Sequence, residues 1–181
     1  MTMRQKMTNT MTTLGCAVLL VASAGMPPRA AAQTSADDKQ FLTIAGQSDL
    51  AEIKQSQLAL EKSKNKSVRA FASKMVKDHH MLMAKMKPFA SKYDVPPPVL
   101  LSTGQEAQYS ALTGLSGSAF DKTYIQDMVK DHHKALDLFN AEIAATTDSD
   151  LKSTVTAGQS VVASHSQMAD ALAQKMGVGP Q

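Results

Sequence analysis

The chain is poor in residues on which much protein chemistry depends. It has no tryptophan, three tyrosines, five phenylalanines and one cysteine in 181 residues. That cysteine, Cys16, sits in an apolar run, "LGCAVLLVASAGM", with Arg4 and Lys6 ahead of it. The run has the length of a secretory leader and is too short for a comfortable membrane span. "PRAAAQ" follows and contains an A-x-A site, so residues 1–32 read as a signal peptide cleaved after Ala32. A lipoprotein reading through Cys16 is weak, because Thr13 stands where a large aliphatic residue is usual. Once the leader is gone no cysteine remains. Disulfides, thiol nucleophiles and thiolate metal ligands are thereby excluded.

Excess charge is also missing. The full chain has 19 Lys+Arg against 16 Asp+Glu, but the leader carries Arg4, Lys6 and Arg29 and no acid. The remainder balances at 16 against 16, and the sequence pI of about 8.9 makes no case for nucleic acid. No Gly-rich phosphate loop, nucleophile elbow or Ser-His-Asp arrangement is present, so covalent catalysis lacks support and no organic cofactor is implied. The expectation is an exported protein, periplasmic or outer-membrane-associated, with no integral membrane span after cleavage. A homo-oligomer stays open.

What is plentiful is Ala, Lys, Gln, Met and Leu, a composition that favours helix over sheet. After a flexible lead-in at 33–38, a first long helix is predicted from Asp37 or Asp38 to Lys62, with Phe41, Ile44, Ala51 and Leu58 on one face. "KSKNKS" is a charged turn. A second helix spans about Ser67–Tyr93, with Val68, Ala72, Met75, His79, Leu82, Met86 and Phe89 in its stripe. Pro88 falls late in it. "DVPPPVLLSTG" stops it, and a short amphipathic helix near Gln105–Thr113 follows. After "GLSGS", with Ser118 as cap, a third long helix covers about Ala119–Ala145. After "TTDSD" a fourth runs from about Asp150 to Met176. "GVGPQ", residues 177–181, reads as a frayed tail.

Two short connections and one long one define the topology. The middle link is long enough to carry the chain back along a helix of ~40 Å, so the second and third long helices would run parallel. That is an all-α, ferritin-like four-helix bundle over residues 39–176, with one long crossover between its second and third long helices. An up-down-up-down bundle is the alternative.

The hexapeptide "MVKDHH" occurs at Met75–His80 and again at Met128–His133, and holds four of the five histidines. His79 and His132 fall inside the apolar stripes, as does His165 on the last helix. His80 and His133 turn about 100° away, toward flank or solvent. Counted at ~1.5 Å per residue, Glu52, His79, His132 and His165 all lie ~15–22 Å from the short turns, near mid-height. Glu52 is at the edge of its stripe. Three imidazoles and a carboxylate, one from each long helix, suit a single transition metal ion such as Zn, Cu or Fe. Asp78 and Asp131 are placed to hydrogen-bond a neighbouring imidazole.

A di-iron site of the Glu-x-x-His kind is not indicated, since Val76, Val129 and Val162 occupy the required positions. Met75, Met81, Met83, Met86 and Met128 near the histidines suit copper, though Met at helical spacing is also ordinary core filler. The competing readings are a structural, stress-related or interaction bundle whose buried His/Glu network binds no metal, and a metal-dependent redox enzyme.

Three stretches in order, "LAEIKQSQLALEKSKNKSVRAFASKMVKDHH", "LSGSAFDKTYIQDMVKDHHKALDLF" and "LKSTVTAGQSVVASHSQMADAL", resemble the exported bacterial proteins of domain of unknown function family 4142. The resemblance covers about residues 38–175. It implies a ferritin-like bundle, no established activity, and a recurrent Glu and three His that match Glu52, His79, His132 and His165. Similarity to short His/Met-rich helical proteins associated with copper keeps copper among the metals by analogy.

Overall fold

A computed structural model of the chain describes residues 29–178, with side chains from residue 36. The leader expectation therefore falls outside the described residues, apart from Arg29–Ala32. Within them are five α-helices and no strand: α1 (Arg29–Lys62), α2 (Lys66–Lys92), α3 (Thr103–Thr113), α4 (Gly117–Ala145) and α5 (Ser149–Met176). None is long and apolar enough to cross a membrane.

Local chemistry explains most of the ends. Asn65 caps α2 by accepting from the Ser67 N–H at 2.9 Å, and Arg69 reaches back to the Leu60 and Ser63 carbonyls at the end of α1. Ser102 and Gln105 form a reciprocal capping box, which starts α3 two residues before the expected Gln105. Asp148 caps α5 through the Asp150 and Leu151 N–H groups. Gly177 takes the left-handed conformation, φ 64°, and Val178 donates to the Ala173 carbonyl at 2.9 Å. The chain expected to fray after Met176 is thus a closed helix cap through Val178. Two other boundaries differ from expectation. α1 continues through 33–38, and α4 begins at Gly117, with Ser116 rather than Ser118 in the cap position. Pro88 sits inside α2 without ending it, close enough to the C-terminus that one missing N–H is tolerated.

The long helices pack in a closed ring: α1 on α2, α2 on α5, α5 on α4 and α4 on α1. Phe41 meets Phe139 edge-on with centroids 5.1 Å apart, and Ser56 Oγ lies 2.9 Å from Tyr124 Oη. Numbers rise along α1 as they fall along α4, so these helices are antiparallel. Asp78 with His165, and Leu82 and Met86 beside Gly158, show the same for α2 and α5. With short turns joining α1 to α2 and α4 to α5, α2 and α4 run in the same direction. The link between them carries α3, which packs across α1 and α4.

The core has two apolar halves. One contains Leu58, Val68, Phe71, Met75, Phe120, Tyr124, Met128 and Ala169. The other contains Phe41, Leu42, Leu82, Met86, Phe139, Leu151, Val155 and Val162. Between them on every long helix lies a buried ionisable residue: Asp49 and Glu52 on α1, Asp78 and His79 on α2, His132 on α4, His165 on α5.

Gly158 lets α5 approach the second apolar half. A Cβ there would sit 2.9 Å from Phe139 Cε1 and 3.4 Å from Leu82 Cδ2. Gly158→Ala gains helix propensity of ~1 kcal/mol but overpacks a core contact at a cost of ~1–3 kcal/mol. Denaturant unfolding is expected to show net destabilisation, and a more stable variant would refute the packing argument.

At one end of the ring, Asp148 also accepts from Lys92 Nζ at 2.6 Å and Tyr93 Oη at 3.0 Å, tying the end of α2 to the start of α5. Beside it, Asp38 and Glu142 are buried side by side. Burial, and then Asp38, push the Glu142 carboxyl up to about 7. The folded value lies above the unfolded one, so the fold favours the protonated acid and loses stability as pH rises through neutrality. Glu142→Gln is expected to raise Tm by a few degrees at pH 8 and to change it little at pH 5, measured by thermal melts in matched buffers.

Candidate metal centre

The polar layer brings one nitrogen from each of His79, His132 and His165 to within 4.8 Å of one another, and all three side chains are buried. The ring centroids are 5.2–5.8 Å apart. Glu52 Oε2 lies among them, 2.7 Å from His79 Nε2 and 3.3 Å from His132 Nε2. The His79–Glu52 contact is close enough for an ion pair, and the His132 contact is longer and poorly aligned. Glu52 Oε2, His79 Nε2, His132 Nε2 and His165 Nδ1 are all buried without a hydrogen-bond partner. Even with the His79–Glu52 attraction, four such atoms at one level without aligned hydrogen bonds is an expensive arrangement in a buried core.

The other nitrogen of each ring is engaged. His79 Nδ1 lies 2.7 Å from Asp49 Oδ1, His132 Nδ1 donates to the Met128 carbonyl at 2.8 Å, and His165 Nε2 lies 2.9 Å from Asp78 Oδ2. These contacts fix ring orientation, and in each neutral imidazole they leave the opposite nitrogen facing inward as an acceptor. Asp78 is itself held by Lys74 Nζ at 2.7 Å, one turn earlier on α2.

Electrostatics follow from the crowding. Burial alone would push the Glu52 carboxyl up, but His132 and His79 outweigh it and hold Glu52 at about 2. Burial likewise disfavours charge on His79, yet Glu52 and Asp49 raise it to about 10. Burial lowers His165 to about 4, with Asp78 only partly opposing. The layer thus contains a His79⁺–Glu52⁻ pair beside a neutral His165.

Each candidate from the sequence can now be located. Glu52, His79, His132 and His165 come together. His80 and His133 are exposed, and His133 pairs at 3.2 Å with Asp170. Asp78 does orient an imidazole, that of His165 across the interior rather than its chain neighbour. Asp131 accepts from Gln108 Nε2 at 2.8 Å, so the expected contact from Asp131 to an imidazole is replaced by one to α3. Asp49 is not among the sequence candidates; it lies three residues, about one turn, before Glu52 on α1 and is buried against His79. Met128 contributes its carbonyl oxygen, held in the helix at the fourth residue before His132.

Comparison with known proteins supports the fold. The crystal structure of a DUF305 fragment from Deinococcus radiodurans superposes with a TM-score of 0.68 at 15% identity, covering 77% of this chain and 96% of that one. A DUF305 protein from Streptomyces coelicolor gives 0.66 at 13% identity, covering 82% and 96%. No curated protein matches. The family model for a domain of unknown function, DUF4142, matches residues 23–172, and with most of its length covered the chain belongs to that family.

Proposed function

We propose that this is an exported, ferritin-like four-helix bundle that binds one transition metal ion through Glu52, His79, His132 and His165. The observation that carries this reading is the convergence, between two apolar halves of the core, of four buried side-chain atoms that lack an aligned hydrogen bond, three of them imidazole nitrogens within 4.8 Å of one another. A three-nitrogen, one-oxygen set is what Zn, Cu or Fe takes. The carboxylate and carbonyl contacts behind the rings give further support, because metal-binding imidazoles are commonly held in this way. Bound there, the ion would replace the unsatisfied contacts of all four groups and link the four long helices. Export rests on the leader sequence.

A polar network without metal is the second reading, favoured by the close His79–Glu52 and His79–Asp49 contacts. The two readings separate cleanly in solution. On the metal reading, dialysis against Zn, Cu or Fe and elemental analysis should find one ion per chain. Excess ion at ~100 Kd adds ~2.7 kcal/mol of stability, visible as a higher Tm. His165→Ala should lose both effects and His133→Ala neither. Unchanged Tm with all three metals, and no retained ion, leaves only the network.

Binding must also displace the proton that Glu52 and Asp49 stabilise on His79, whose value of about 10 keeps it charged at pH 7. Calorimetry in buffers of different ionisation enthalpy is expected to report about one proton released per ion. The same pairing stabilises the metal-free fold below the ordinary histidine value and is lost as pH rises through about 10.

A further inference from the structure

The imidazoles are 0–3% exposed, so an ion needs a route to them. A cleft of about 540 Å³ lies between α1, α3 and α4, and Glu52 lines it while the three histidines do not. Asp131, one residue before His132, lines the same cleft and is half-buried. Gln108 of α3 donates to Asp131 Oδ2 at 2.8 Å. Gln105, from the first turn of α3, lines the cleft too and donates to the Gln47 carbonyl of α1 at 3.2 Å. The crossover helix is therefore pinned on both sides of an opening that leads to one ligand of the proposed centre.

We propose that this cleft is the access route of the divalent ion, with Asp131 as the transit carboxylate between solvent and Glu52 and Gln108 as the latch that holds it. The inference rests on the metal reading. Its chemistry is stepwise exchange. A hydrated cation gives up waters to carboxylate oxygens, first at Asp131 and then at Glu52, before reaching the buried imidazole nitrogens, which do not line the cleft. Carboxylates suit the incoming hydrated ion and nitrogens the final site. Lys130 and Lys134 also line the cleft and are exposed. Their charge opposes a cation and slows its approach, most strongly at low salt.

The test is stopped-flow uptake of Zn²⁺ from a weak chromophoric chelator by the metal-free chain, alongside the equilibrium stoichiometry. Asp131→Asn is expected to slow uptake about tenfold, the scale on which a local charge steers an ion, while one ion is still bound at equilibrium. Asp131→Glu should restore the rate. Lys134→Glu should accelerate uptake at low ionic strength and lose that advantage in high salt. Gln108→Ala should speed both uptake and release. If the unaltered chain takes up no Zn²⁺ at equilibrium, the metal reading itself has failed. If it binds one ion and Asp131→Asn takes it up at the unaltered rate, the route is wrong and the centre stands. Thermal melts of each variant identify any slow uptake that comes from a loosened fold, and a loss of Tm in Asp131→Asn that Asp131→Glu does not repair would also overturn the transit role.

Discussion

Six ionisable side chains, Asp49, Glu52, Asp78, His79, His132 and His165, cross the core between two apolar halves. Their burial constrains everything around them. Sliding any long helix by one turn, ~5.4 Å, would carry its polar residue into an apolar half and leave its partners on the other helices unpaired. Apolar packing alone tolerates such slippage far better, because one methyl-lined layer resembles the next. The polar layer therefore penalises slippage of the ring of helices more than the apolar halves do.

The rest of the molecule is arranged to hold that register. The turn between α1 and α2 is closed by Asn65 and Arg69, and the far end of α2 is tied to α5 by Asp148. Gly158 removes a side chain where α5 would otherwise be held off Phe139. Every donor of the candidate centre projects from the middle of a long helix, where backbone hydrogen bonding is complete. Geometry at the centre is thus as rigid as helix packing and does not depend on loop conformation.

Much of this was legible in the sequence, for identifiable reasons. Helix ends at Lys62, Lys92 and Met176 follow from turn residues and caps, and the level shared by His79, His132 and His165 follows from rise per residue and the length of the crossover. Glu52 looked marginal by stripe position, because a helix wheel scores the apolar average of a face. That average does not register a carboxylate drawn inward by three imidazoles. Asp49 escaped for the same reason. Its role is fixed by the ring orientation of His79, which no periodicity encodes. α4 starts two residues ahead of the expected Ala119, at a Gly117 with φ 57°, a conformation that spacing does not reveal. Likewise, Asp131 reads as equivalent to Asp78 until α3 is seen lying over one copy of the repeat and not the other.

The repeated hexapeptide shows what that asymmetry means for a duplicated string. Both copies lie on parallel helices at one level, yet their aspartates are wired to different places. Asp78 steadies a ring 87 residues further along the chain, while Asp131 joins a helix that belongs to neither copy. The first histidines differ too, one backed by the carboxylate of Asp49 and the other by its own helix's carbonyl. Identical words in the sequence have become separate parts of speech, and neither copy could stand in for the other if it were lost.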